Sequence, residues 1–272
     1  MQVPLQSNGR SGGRRELMAH SSQEVVGLAC RPGSTVIWPF GAIEQHGPHL
    51  PLGTDALFAE RLLERVLLQL PAEAPIWRMP LHCLGFSPEH LGFPGSLSLP
   101  AELLIGLVVA VGRQLAEAGF QRLVLFNAHG GQIALLQVAA RQLRVEAPSM
   151  AVLPCFVWSG PAGLAELIPE PERSHGLHAG LAETSLMLHL APELVGELPP
   201  PDGQLGGVPP PGWSLEGAAP TAWLTRDLSA TGVIGDPSAA TAVLGDALAE
   251  RLVHGWTALL QGLLASPWPQ RG

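Results

Sequence analysis

The chain has 272 residues, 46% of them hydrophobic, with 15 basic and 23 acidic side chains and a net charge of −8. That suffices for a full core, in one large α/β domain or two small ones, and excludes a disordered or fibrous protein. The acidic balance lacks the basic footprint of nucleic-acid binding. All 15 basic residues are arginine, and with neither lysine nor tyrosine present a Schiff-base lysine, a P-loop lysine and a tyrosine general acid are excluded.

Proton transfer must therefore fall to His, Asp, Glu or Cys. Cys30, Cys83 and Cys155 show no CxxC spacing. They indicate neither a disulfide framework nor a thiolate zinc site and read as small buried hydrophobes. No apolar run reaches 18 residues, so no membrane span is expected. Residues 1–22 are rich in Ser, Gly and Arg and lack an apolar stretch. They read as a flexible tail on a cytoplasmic protein, followed by a single domain over 23–272.

The first element is the β-branched run Thr35–Phe40, a buried strand. It opens into Gly41-Ala-Ile-Glu-Gln-His-Gly-Pro-His-Leu-Pro-Leu-Gly-Thr-Asp55, which sets Glu44, His46, His49 and Asp55 within twelve residues. In open α/β sheets ligands collect beyond the carboxyl ends of such strands. Buried carboxylates and imidazoles need partners, and a divalent metal satisfies them. Asp55 is expected to cap a helix that carries Leu57, Phe58, Leu62, Leu63, Val66 and Leu70 at helical spacing. Ile76–Leu81 is a second strand, leading into a turn-rich loop, residues 85–96, that contains His90 as a surface or site imidazole.

Ala101–Ala118 reads as an apolar helix between Pro100 and Gly119. Arg122–Asn127 is a third strand, running into Ala128-His-Gly-Gly131 and a helix from Gln132 to Val145. His129 therefore sits at a strand end, as the first motif does. Ala151–Trp158 is a further strand, with Trp158 either in the core or lining a pocket. His178 and Glu183 are five residues apart, roughly 140° around an ideal helix. For both to face one site, His178 must precede a helix whose first turns carry Glu183. Residues 192–237 are rich in Pro and Gly and read as a surface excursion or subunit contact. Ala239–Leu264 is the closing helix. Alternating strands and helices imply a mostly parallel sheet covered on both faces.

Glu44, His46, Asp55, His129 and Glu183 form a mixed N/O ligand set, with His178 beside them. Three carboxylates contribute −3, two divalent ions +4, and a bridging hydroxide closes the balance. Such ligands suit zinc first, then manganese or iron. Two ions sharing a carboxylate activate water and polarise a carbonyl, the equipment of an amide hydrolase.

With these motifs the sequence resembles the creatininase (creatinine amidohydrolase) family. The matching stretches are residues 41–55, Asn127-Ala-His-Gly-Gly131 and His178-Ala-Gly-Leu-Ala-Glu-Thr-Ser185. Weaker echoes are His90…Phe93-Pro-Gly-Ser96 and Thr231-Gly-Val-Ile-Gly-Asp-Pro237. The resemblance implies a three-layer α/β/α sandwich, a homohexamer and a dinuclear metal site. In it Glu44 and His46 bind different ions, Asp55 bridges, His129 is the second histidine ligand, and His178 shuttles the proton to the leaving nitrogen. His90, Ser96 and Trp158 are the candidate substrate contacts.

Two departures stand out. Creatinine-hydrolysing members carry a ligating glutamate two residues after the second histidine, where this chain has Gly131. Glu183 is then the expected replacement, as ligand and catalytic residue. Those members also carry a tryptophan four residues before the shuttle, where this chain has Ser174, leaving Trp158 as the only nearby candidate wall. The expected activity is hydrolysis of a C–N bond in a small polar or cyclic amide by a metal-bridging hydroxide. The alternatives are a formamide deformylase or peptide-maturation hydrolase of the same family and, in another class, a non-catalytic metal-stabilised scaffold. No nucleic-acid or membrane partner is expected.

Overall fold

The structure is a computed structural model that describes residues 15–161, 163–203, 209–217 and 219–269. Residues 1–14 of the expected tail lie outside the described residues. Residues 15–22 are not frayed, however. The Arg15 carbonyl accepts from Arg78 N (2.7 Å), Glu16 pairs with the Arg78 guanidinium, and Arg15 itself donates to the carbonyls of Leu70 and Ile76. Ser21 then starts helix α1 (Ser22–Ala29) through a reciprocal capping box with Glu24. The Ser/Gly/Arg composition hid these contacts, because the partners lie more than 50 residues away.

A four-stranded, all-parallel sheet runs in the order β2 (Ile76–Arg78), β1 (Thr35–Phe40), β3 (Arg122–Asn127), β4 (Ala151–Phe156). β1 and β3 pair along their full length, from Thr35 opposite Arg122 to Phe40 opposite Asn127. Every residue of both is buried, which is why they read as continuous apolar runs rather than alternating ones. Val36, Trp38, Phe40, Leu123 and Leu125 face one core, with α1, α3 (Ala101–Glu117) and α4 (Ile133–Glu146). Ile37, Val124 and Phe126 face the other, with α2 (Thr54–Gln69) and two later helices, α6 (Leu181–Leu190) and α8 (Ala242–Ala265). The result is the three-layer α/β/α sandwich. Pro154 is tolerated because β4 is an edge strand.

Several boundaries differ from the sequence reading. β2 stops at Arg78, and β4 stops at Phe156, leaving Trp158 in the following turn. Gly53 is the cap of α2, so Asp55 is the second residue of its first turn and keeps its carboxylate for other partners. α6 begins at Leu181, so Glu183 falls in its first turn. A remote carboxylate, Glu172 in the short α5 (Glu172–His175), accepts from Leu181 N at 2.7 Å and does the capping. The Pro/Gly-rich excursion is not only a surface wrap. In its described parts it includes α7 (Thr225–Leu228), buried Thr225 and Val233, and a bridge from Ile234 to His178. The three cysteines are free, and Cys30 is exposed rather than buried.

The carboxyl end of β1 passes directly over the first turn of α2, and only glycine fits at the crossing. A Cβ at Gly41 would lie 2.5 Å from Ala56 Cα and 2.6 Å from Ala56 N. Gly41→Ala should therefore cost about 1–3 kcal/mol, as overpacking does, and lower the thermal midpoint by several degrees in calorimetry. An unchanged midpoint would mean that α2 is not seated on this strand end.

Candidate metal centre

Two strand ends and two helix starts converge at the carboxyl edge of the sheet. Glu44 and His46 leave β1, His129 follows β3, Asp55 lies in the first turn of α2, and His178 and Glu183 flank the start of α6. Residues that the sequence reading passed over fix this arrangement. Asn127 holds the turn after β3 by donating to the His129 carbonyl (2.7 Å) and accepting from His129 N (3.0 Å). Gln132 donates to Asn127 Oδ1 and to the Gly41 carbonyl and accepts from Phe86 N, tying β1, β3 and the 86–90 loop together. Asn127 stands in the matched stretch Asn127-Ala-His-Gly-Gly131 without a role of its own there, and only the three-dimensional contacts mark out Gln132.

The histidine tautomers follow from the backbone. His46 Nδ1–H donates to the Glu44 carbonyl at 3.1 Å, so its Nε2 presents a lone pair, 3.6 Å from Asp55 Oδ1. His129 Nε2–H donates to the Phe86 carbonyl at 3.0 Å. Its Nδ1 lone pair then faces Glu44 Oε1 at 3.2 Å and Asp55 Oδ2 at 3.1 Å. Glu44, His46, Asp55 and His129 are each at most 2% exposed. Among the described residues, Glu44 Oε2, His46 Nε2 and Asp55 Oδ2 have no hydrogen-bond partner. Acceptors that converge in a buried place are stable only around a cation.

The electrostatics agree. Burial alone would make His46 harder to protonate, yet Asp55 beside it drives its pKa up to about 9. Burial is likewise outweighed at His129 by Glu44 and Asp55, which raise it well above the usual imidazole value. Asp55 is held below the ordinary carboxylate range by His46 and His129 despite its own burial. A proton or a metal ion fills the same role here. Two trios of ligand atoms lie within 4.8 Å of one another, His46–Asp55–Glu183 and Glu44–Glu89–His129, and the residues fit divalent ions.

Glu183 occupies the first turn of α6 with its carboxylate turned back to Ala179 N at 2.7 Å. Burial pushes its pKa up to about 7. His178 lies in the loop before the helix, as the spacing requires. Its Nε2–H donates to the Gln45 carbonyl at 2.7 Å, leaving Nδ1 unprotonated, 4.0 Å from Glu44 Oε1. Burial, then His46 and His90, hold its pKa well below the usual value. Between the two, Ala179 has φ +53°, a left-handed conformation held by the Glu183 carboxylate and by Thr184 Oγ1 on its carbonyl. His49 stands back from the cluster and binds Thr184 Oγ1 at 2.8 Å.

The expected substrate contacts fare differently. Trp158 lines a cavity of about 350 Å³ above the cluster and also packs edge-on against Phe58. His90 faces the same cavity, but both its nitrogens are engaged. Nδ1 accepts from Gln45 Nε2 (2.8 Å), and Nε2 lies 3.3 Å from Glu44 Oε1, so the ring orients Glu44. The Ser96 hydroxyl accepts from Gln45 N at 2.9 Å and is not among the cavity-lining residues. Ser174 turns outward to Glu170. Trp158 is not the only aromatic wall, because Trp223, from the Pro/Gly-rich segment, lines the cavity as well.

A family model for creatinine amidohydrolase, Creatininase, matches residues 19–260. The mycofactocin precursor peptide peptidase of Mycolicibacterium smegmatis is 37% identical over 160 residues, 58% of each chain. That of Mycobacterium tuberculosis H37Rv is 38% identical over 164 residues, 58% of this chain and 59% of its own. Creatinine amidohydrolase of Pseudomonas putida is 33% identical over 171 residues, 58% of this chain and 64% of its own. The matched stretch thus spans just under six tenths of the length of the peptidases. Among solved structures, a manganese creatininase has a TM-score of 0.72 and 26% identity, covering 93% of this chain and 100% of that one. A creatininase variant of Zn-Zn type has a TM-score of 0.73 and 26% identity, covering 94% and 100%. Since the family match runs over residues 19–260 and takes in every converging side chain from Glu44 to Glu183, the chain belongs to the creatininase family.

Proposed function

We propose that this chain is a metal-dependent hydrolase that cleaves a C–N amide bond, with a peptide or peptide-like amide as its substrate. The observation that carries the reading is the buried cluster beneath the cavity. There His46 Nε2, His129 Nδ1, Glu44 and Asp55 aim lone pairs at one another beside the unprotonated Nδ1 of His178. Glu44 and His129 would hold one divalent ion, His46 and Glu183 a second, and Asp55 reaches both. Zinc is the first choice, with manganese or iron as alternatives. When bound, such a pair supplies an activated water and polarises the amide carbonyl.

The protein's own groups do the rest. The Gln45 carbonyl keeps the His178 Nε2 proton in place, so the ring takes up and delivers a proton only at Nδ1, where the leaving nitrogen needs it. Trp158, Trp223, Leu164 and Ile168 line the cavity and give it an apolar wall that suits side chains and excludes water. That wall and the relatives named as peptide peptidases favour a peptide. A flat cyclic amide is the second reading, favoured by the two tryptophans. A scaffold with a purely structural metal would need neither an open cavity nor a free imidazole nitrogen. We further place the chain in the cytoplasm, consistent with three free cysteines. Among the described residues, no helix is long and apolar enough to cross a membrane. A homo-oligomer, a hexamer by resemblance, fits the exposed Leu52, Leu91 and Leu97 on the loops around the site.

His178→Ala should keep the wild-type metal content while the catalytic rate falls by roughly 10²–10⁴, the usual range for general acid–base catalysis. His178 also lies within 4.8 Å of Glu44 and His46 in a third possible ligand trio. Loss of an ion from the variant would accordingly mark it as a ligand and remove the shuttle. Steady-state kinetics on the metal-loaded enzyme, with creatinine, formamides and short peptides, tests the substrate class. Turnover of peptides with creatinine far behind is expected. A creatinine kcat/KM of roughly 10⁴ M⁻¹s⁻¹ or more, typical of a native substrate, would overturn the peptide reading.

A further inference from the structure

We propose that Glu89, outside every sequence motif singled out above, is a ligand of the ion held by Glu44 and His129. This rests on the reading of the site as a two-ion centre and adds a sixth donor to it. Glu89 sits in the single 3-10 turn Pro88–His90, with its side chain 13% exposed and facing the cavity. Its carboxylate shares a trio of possible ligand atoms with Glu44 and His129, and its Oε1 lies 3.6 Å from His129 Nε2, the ring nitrogen that also faces the Phe86 carbonyl.

The space it occupies comes from Gly131. A Cβ on Gly131 would lie 1.8 Å from Glu89 Oε1, 2.7 Å from His129 Nε2 and 2.8 Å from Glu89 Cδ. Any side chain at 131 would thus evict the carboxylate, and glycine there lets a residue from another loop reach the ion site. The two trios share no residue, so each candidate ion receives three donors, with Asp55 reaching across from one to the other. Four carboxylates, those of Glu44, Asp55, Glu89 and Glu183, would then carry −4 against the +4 of two divalent ions, so the balance closes with a neutral water in place of the hydroxide that three carboxylates require. The balance matters because the cluster is buried, where uncompensated charge is costly.

The test is metal binding rather than turnover. Wild type, Glu89→Gln and Gly131→Ala are stripped with a chelator and titrated with Zn²⁺ in competition with a chromophoric chelator, with elemental analysis for stoichiometry. Wild type should bind two ions. Glu89→Gln should keep one tight ion and hold the second at least tenfold more weakly, because a neutral amide is a poor ligand. Gly131→Ala should weaken the same ion, because its methyl meets both the Glu89 carboxylate and the His129 ring, and Glu89→Gln alone assigns the loss to the carboxylate. Equal thermal midpoints of stripped wild type and Glu89→Gln would exclude a merely structural effect. Two ions bound by Glu89→Gln with wild-type affinity would overturn the assignment to Glu89 alone. A wild-type protein that binds no divalent ion would overturn this assignment and the proposed function together.

Discussion

Three ring N–H groups are spent on three backbone carbonyls, and the rest of the site depends on that. His46 donates to the carbonyl of Glu44, His129 to Phe86 and His178 to Gln45. Each bond fixes a tautomer, and each leaves one lone pair aimed into the same buried volume as the carboxylates of Glu44 and Asp55. Backbone carbonyls cannot change protonation state, so the orientation does not drift with solution conditions. A region so rich in acceptors is unfavourable by itself and becomes favourable around cations. The candidate metal centre is thus shaped by main-chain hydrogen bonds.

The fold supplies those carbonyls at the right places. Because β1 and β3 are parallel neighbours in full register, Glu44 and His129 emerge side by side beyond Phe40 and Asn127. The crossover after β1 brings α2 back over Gly41, which sets Asp55 opposite both histidines. On the far side Glu172 accepts from Leu181 N and Asp236 N. It thereby clamps the start of α6 to the returning Pro/Gly-rich segment, and His178 and Ile234 pair between those anchors. Catalytic side chains on loops are held by bonds whose other ends belong to rigid elements.

Much of this was readable from the chain. β1 and β3 announce themselves because strands buried on both faces have no polar face to interrupt the run. Glu44, His46 and Asp55 are legible because so many acceptors within twelve residues after a buried strand need a common partner. The helical angle requires His178 to precede the helix that carries Glu183 if both face one site, and α6 begins between them. The misses share a cause. Glu89 matters only because Gly131 leaves room, Glu172 caps a helix nine residues away, and Trp223 comes from a segment whose composition reads as surface. His90 and Ser96 were assigned to substrate, whereas their polar atoms hold Glu44 and Gln45. Roles that arise from space vacated or bonds made across the fold leave no local pattern to read.

The central claim is that Asp55 joins two ion sites into one centre, with its two oxygens 3.6 Å from His46 Nε2 and 3.1 Å from His129 Nδ1. Elemental analysis of purified Asp55→Ala and Asp55→Asn, each checked for native folding by circular dichroism, tests it most directly. Both variants should lose metal as well as activity, because neither ion keeps its ligand set and a neutral amide leaves the site short of negative charge. Full occupancy by two ions in folded Asp55→Ala would contradict the account.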